Sequence, residues 1–267
     1  LSLVFPIQNI MIGFATGVGV GVNALLSKAL GQKDQDTANR TAGNGVVLVG
    51  IVTVAFVLFG LFGARPYFEM QSNVSETTAS QGIAYTTICC VFSLGIFVEV
   101  LGERLLQSSG RTMYTMITQG TGAVVNILLD PVFIFGVPAL GIPAMGISGA
   151  AIATVIGQWI AAILAVIFNF TRNPDVRFAL RYLKPQGRIL KEILTVGVPS
   201  IIMVGIGSVM NFGINQILLG FSETAAGVFG IYFKLQSFFF MPLFGINNAT
   251  ISIVAYNYGA RNAHRIL

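Results

Sequence analysis

Three observations predict an all-α integral membrane protein, a polytopic helical bundle. Hydrophobic residues make up 54% of the chain and charged residues only 9%, where soluble domains carry roughly 25% charge. The apolar residues fall in runs of about twenty or more, the length at which a helix crosses a bilayer. The basic residues that give the net charge of +5 sit in alternate loops rather than in one patch. That pattern explains the basic excess by membrane topology, without nucleic acid.

Seven spans follow from hydropathy, at about 6–28, 44–64, 82–106, 113–136, 146–170, 192–219 and 227–256. The first is rich in glycine: Gly13, Gly17, Gly19 and Gly21 have the small-residue spacing of close helix contacts in lipid. A phosphate-cradling loop is the sharper alternative, but no strand precedes these glycines and no Lys-Ser/Thr follows them. The second span ends at Arg65-Pro66, and the polar stretch behind it holds the weak sequon Asn73-Val-Ser75. The third carries Cys89 and Cys90, adjacent and in an apolar run, which favours packing over a disulfide or metal. It also carries Glu99 and Glu103 on one helix face; these are candidates for a substrate path beside the plainer reading of interfacial structure. A Gly/Pro-rich connector, 136–149, leads to the fifth span, where Trp159 lies near the middle and is expected to be packed or to face a cavity. The longest polar segment, 171–191, holds six bases among Phe178, Leu180 and Leu183, and suits a membrane surface. Phe238, Phe239 and Phe240 in the last span read as packed or lipid-facing.

The charges set the orientation. With 29–43 on the cytoplasmic side, 104–112, 171–191 and the C-terminal tail share that side. All but two of the 15 Lys and Arg residues then lie there, Arg65 and Lys234 being the exceptions.

The fourth span breaks the apolar pattern at Asn126, Asp130 and Pro131. Asn126 and Asp130 are four apart, one turn above the other on a helix face. Pro131 cannot donate to the Ile127 carbonyl and frees that oxygen nearby. A carboxylate at mid-bilayer costs roughly 2.5–3.5 kcal/mol on insertion scales, which makes it a functional candidate. Burial and neighbouring groups push its protonation in opposite directions, so ligand binding could switch it. Carboxylate, amide and hydroxyl oxygens could equally hold a hard cation.

Sliding the chain against itself by 228 residues lays Phe5 and Gln8 over Phe233 and Gln236, Gly17 over Gly245 and Gly31 over Gly259. The offset covers six spans, so the copies run in the same direction, as in the parallel repeats of transporters. The expected whole is twelve helices in two six-helix repeats. On that expectation 1–170 is an N-terminal bundle without its first helix, 171–191 a cytoplasmic linker, and 192–267 the start of a C-terminal bundle lacking four helices.

The run Asn126 to Phe135, with Gly149-Ala-Ala-Ile-Ala-Thr154, resembles the multidrug and toxic compound extrusion (MATE) family. So do Gly197-Val-Pro199, Phe229 to Gln236, and Ala255-Tyr-Asn-Tyr-Gly259-Ala-Arg-Asn262. The resemblance covers the family's second to eighth helix and is nearest the bacterial branch of DNA-damage-inducible and staphylococcal exporters. It implies a cation/drug antiporter with H+ or Na+ as coupling ion and no other cofactor. Its substrates would be small cationic or amphipathic organic molecules. Its setting would be the cell inner membrane, as a monomer when full length. The family's N-terminal ion site uses an Asp on the first helix, an Asn and an Asp on the fifth and a Thr on the sixth. Asn126, Asp130 and Thr154 match the last three, and the first would lie upstream of Leu1. Some relatives use a Glu on the seventh helix. Here 199–219 has no acid, only Ser200, Ser208, Asn211, Asn215 and Gln216 as polar groups. Asn211, Asn215 and Gln236 join Glu99 and Glu103 as substrate-path candidates.

A flippase for lipid-linked intermediates is the alternative within the wider superfamily, but it would call for basic residues inside the spans, which are nearly free of them. A non-transporting membrane fragment is the third reading. The chain has one histidine, His264 in the basic tail, and no nucleophile–base or metal-ligand spacing, so an enzyme is not expected.

Overall fold

The computed structural model describes residues 4–69, 76–137, 141–221 and 223–265, with the side chains of Phe5, Thr78 and some residues between 208 and 244 left undescribed. Asn73 and its sequon lie outside these residues. The chain is a helical bundle. Its nine α-helices among the described residues are α1 (Phe5–Gly31), α2 (Gln35–Leu58), α3 (Ala64–Glu69), α4 (Glu76–Val91), α5 (Leu94–Ser108), α6 (Thr112–Phe135), α7 (Gly146–Arg172), α8 (Gly187–Phe221) and α9 (Glu223–Gly259). Among the described residues six helices are long and apolar enough to cross a membrane, or seven if α4 and α5 together make one span.

Two expected spans are not simple helices. The third, expected as one piece at 82–106, bends by 45° between α4 and α5. The bend falls where the Trp159 indole packs on Gly95, so close that a Cβ there would lie 2.8 Å from the ring. Across the break the backbone tightens to i→i−3 bonds, from the Ser93 N–H to the Cys90 carbonyl at 3.3 Å and from the Gly95 N–H to the Phe92 carbonyl at 3.2 Å, at small residues of the kind found at sharp kinks. The second span starts earlier than expected, at Gln35, and runs through a π-helical turn, Phe59–Gly63, into α3. Widening the helix there frees the Gly60 carbonyl, which accepts a hydrogen bond from the Thr87 hydroxyl at 3.1 Å.

The helix ends follow local chemistry. Pro6 stands in the first turn of α1, where its missing N–H costs nothing. Asp34 caps α2: its carboxylate accepts from the Thr37 N–H at 3.1 Å and the Thr37 hydroxyl at 2.6 Å. Those bonds, the hydroxyl's first, hold the Asp34 carboxyl below its usual pKa. At the far end of α6, Gly136 takes φ 74°. The chain then turns back with reciprocal backbone bonds between Val137 and Ile142.

The glycines of α1 are where its neighbours come closest. A Cβ on Gly17 would lie 2.8 Å from the Gly197 carbonyl oxygen on α8, and one on Gly197 would lie 2.7 Å from that of Gly17. One on Gly21 would reach the Ile193 carbonyl oxygen at 2.2 Å. The small-residue seam expected on α1 is therefore the α1–α8 contact, while Gly19 faces Arg104 on α5. A phosphate loop has no place in a continuous helix. Gly31 and Gly259, matched by the repeat, meet each other's helices: Gly31 lies against the Tyr256 carbonyl and Gly259 against that of Lys28. Lys28 and Tyr256 have the same spacing as the two glycines, so the crossing of α1 and α9 has an internal two-fold relation.

The polar loops meet at one end of the bundle. The Gln35 amide donates to the Asp175 carbonyl at 2.7 Å, and Arg111 pairs with Asp175. The side-chain Oδ1 of Asn23, a fully buried residue, accepts from the Ser27, Ser108 and Ser252 hydroxyls, tying α1, α5 and α9. The linker segment 171–191 folds back onto α2. Asn39 Oδ1 accepts from the Arg177 N–H and Asn44 Oδ1 from the Gln186 N–H, both at 2.8 Å. Buried side-chain carbonyls thus supply what a strand partner would otherwise give this irregular backbone. Cys89 and Cys90 are buried free thiols, as packing predicts. Phe238 and Phe239 stand 74% and 72% exposed.

Candidate functional site

The polar group inside the membrane-spanning region centres on Asn126. Its side-chain nitrogen stands 3.3 Å from Asp130 Oδ1 and 3.5 Å from Thr154 Oγ1. Helix spacing brings Asp130 and Asn126 together on α6, and close packing of α6 on α7 adds Thr154. That packing depends on two glycines that the sequence reading passed over. A Cβ on Gly122 would lie 3.1 Å from the Gly157 carbonyl oxygen, and one on Gly157 would lie 2.8 Å from that of Gly122. Gly157 also leaves the space filled by the Asn126 side chain, which a Cβ would approach to 3.3 Å.

The Thr154 hydroxyl donates to the Ala150 carbonyl at 2.9 Å, so its lone pairs face Asn126. The three residues are half-buried. Behind them the network continues. The Tyr85 hydroxyl on α4 lies beside Thr154 and accepts from the Gln8 amide on α1 at 2.8 Å. Four helices therefore converge here: α1, α4, α6 and α7. Neither Gln8 nor Tyr85 was expected; a tyrosine followed by Thr86 and Thr87 in an apolar span was the only signal.

In this arrangement the Asn126 NH2 serves two oxygen acceptors. Turning the amide over would point its oxygen at the same place, beside a carboxylate and a hydroxyl, the oxygen donor set of a hard cation. Protonating Asp130 would instead let it donate. The same three side chains thus suit a proton or a small cation.

The substrate-path candidates fall elsewhere. Glu103 is buried between α5 and α6, 3% exposed. Its carboxylate accepts from Thr118 Oγ1 at 3.1 Å and Gln119 Nε2 at 2.9 Å. Gln119 lines a cavity of about 1150 Å³ between the basic ends of α5, α6 and α9, so Glu103 lies one hydrogen bond behind its wall. Glu99 is half-buried one turn earlier, and Gln236 half-buried on α9. Asn211 and Asn215 lie on α8, their side chains outside those described. No described contact brings any of the five to Asp130. Among the described residues no cluster of three His, Cys, Asp or Glu could hold a metal.

The MatE family model matches residues 1–132 and 199–266. The chain belongs to the MatE family. Both members of the Gly31–Gly259 crossing lie within the matched stretches. Among curated relatives, the multidrug export protein MepA of Staphylococcus saprophyticus is 25% identical over 258 residues, covering 97% of this chain and 56% of its own length. MepA of Staphylococcus aureus (strain NCTC 8325) is 26% identical over 270 residues, with the same coverage. A crystal structure of MATE in complex with MaL6 superposes with a TM-score of 0.92 at 27% identity, over 99% of this chain and 58% of that one. A transporter of the MOP superfamily from Pyrococcus furiosus superposes at 0.90 with 26% identity, over 99% of this chain and 57% of that one. The chain thus spans little more than half the length of the MATE proteins it matches.

Proposed function

We propose that this chain supplies the ion-coupling half of a multidrug exporter that works by H+ or Na+ antiport with alternating access. The observation that carries the reading is the Asn126 amide lying between the Asp130 carboxylate and the Thr154 hydroxyl, within membrane-spanning helices. An ion or proton at Asp130 would bind one arrangement of the bundle better than another, and cargo would prefer the opposite arrangement. Such differential affinity is what lets either ligand shift the equilibrium. The MepA relatives are multidrug export proteins, which supports cationic or amphipathic organic cargo. On this reading α1 to α7 form the first of two bundles, 171–191 the linker, and α8 and α9 the beginning of the second. The positive-inside rule favours a cytoplasmic location for the linker end and the C-terminal tail in the cell membrane.

The test is efflux of a fluorescent organic cation from vesicles holding the full-length protein, driven by a pH or sodium gradient. Asp130→Asn should lose at least tenfold in gradient-driven rate while still binding cargo. Gradient-driven efflux equal to that of the unmodified protein would remove Asp130 from the coupling role. Comparing the two gradients identifies the ion.

A further inference from the structure

On the flank of the bundle, at the linker end, a groove of about 500 Å³ runs between α2, α5 and α7, a size typical of built ligand sites. Val46, Val98, Leu101 and Val166 form its walls, and linker residues 178–180, 182 and 183 close it on one side. The polar side chains along it are already engaged. The Asn169 amide donates to the Gly102 and Ala165 carbonyls, and Asn39 Oδ1 receives the Arg177 N–H. Inside, the groove therefore presents almost only carbon.

Its rim is different. Arg177 lines the opening with an exposed side chain that forms no ion pair among the described residues. Arg172 and Lys184, nearby in sequence, are likewise exposed and form no ion pair among the described residues, and the Arg181 guanidinium stands over the Tyr182 ring at 4.6 Å. The acids that might neutralise this rim are occupied, Asp36 by Arg40 and Asp175 by Arg111. The linker is also held in place. Its backbone is bonded to Asn39 and Asn44, and at Gly43 it passes so close that a Cβ would lie 2.2 Å from the Tyr182 carbonyl oxygen.

A carbon-lined slot with guanidinium at its mouth, open on the side of a membrane bundle, matches one chemistry: a hydrocarbon chain with an anionic head. We propose that the groove holds an anionic phospholipid of the leaflet bordering the linker, with one acyl chain between α2, α5 and α7 and the phosphate against Arg177. Arg–phosphate hydrogen bonds would supply orientation, and basic pockets between spanning helices have this use elsewhere. The site takes from the proposed function only that the linker end faces the cytoplasm, where anionic lipids concentrate. It does not depend on drug efflux.

The experiment uses full-length protein in neutral detergent, titrated with dioleoylphosphatidylglycerol or dioleoylphosphatidylcholine and followed by native mass spectrometry. Free lipid makes the result independent of orientation and of transport. One phosphatidylglycerol should be retained about fivefold or more in preference to phosphatidylcholine, and Arg177→Ala should remove that preference. Val166→Trp should fill the slot and abolish retention of both lipids. Val46→Trp, from the facing wall, gives the same readout should the first variant fail to fold. Equal retention of the two lipids by the unmodified protein overturns the proposal. So does an adduct untouched by either tryptophan, or no adduct at all, as when another segment of the chain fills the groove.

Discussion

Asn126 is the one side chain that touches both other members of the polar group, so its loss has a larger reach than its size suggests. Asn126→Leu should leave Asp130 and Thr154 each short of a donor in an apolar setting, a penalty of about 1–3 kcal/mol, read as a lowered unfolding midpoint in detergent. Thr154→Val should cost less, because the Ala150 carbonyl that loses its extra hydroxyl already accepts within the helix. The cap at Asp34 makes a prediction about pH. Its carboxyl is held below the usual value by Thr37, so the stabilisation is complete above the unfolded pKa of about 3.9. It then fades as pH falls through the still lower folded value. Asp34→Ala should therefore cost about 1 kcal/mol at neutral pH, and the difference from the unmodified protein should disappear in acid. Asn126, Asp130 and Thr154 could be read from the sequence because two of them share a helix face and the third lies in a run resembling the family's. Gln8 and Tyr85 could not. They come from helices whose approach to α7 depends on packing, and local spacing holds no trace of it.

The helices themselves were legible where hydropathy alone decides them. The ends were less so: α8 and α9 run 35 and 37 residues, well past the roughly 20 that a bilayer requires, and their polar extensions carry no hydropathy signal. The break between α4 and α5 was illegible for another reason. Val91 and Phe92 are as apolar as their surroundings, and Trp159, which packs on Gly95 beside the break, arrives from α7. The seam between α1 and α8 provides the test at this scale. Gly17→Ala gains a few tenths to about 1 kcal/mol of helix propensity. Its Cβ would nevertheless stand 2.2 Å from Ile201 Cγ1 and 2.8 Å from the Gly197 carbonyl. Overpacking of that kind costs about 1–3 kcal/mol, so the net effect should be destabilising. Gly50→Ala, where nothing lies within 4 Å, should be neutral or stabilising in the same thermal unfolding assay.

At the scale of the molecule, the repeat was visible as a few identities at a fixed offset, but the sequence held no hint that its two copies touch. They do, through Gly31 and Gly259. A Cβ at either glycine would stand about 2 Å from the other helix's backbone, 2.0 Å from the Tyr256 oxygen and 2.1 Å from the Lys28 oxygen. Gly31→Ala and Gly259→Ala should therefore weaken the α1–α9 crossing to a similar degree. Cross-linking between cysteines placed on the two helices should fall by comparable factors in both variants, and the double variant should be little worse than either single one. A strong effect at one glycine and none at the other would show that the two-fold relation is not energetically real. The contact is of the isologous kind that joins the halves of a homodimer, here written into one continuous polypeptide. Its two points are one crossing seen from each side, so neither can part while the other holds. The two copies of the repeat are thus joined here at one shared point of contact, not at two independent ones.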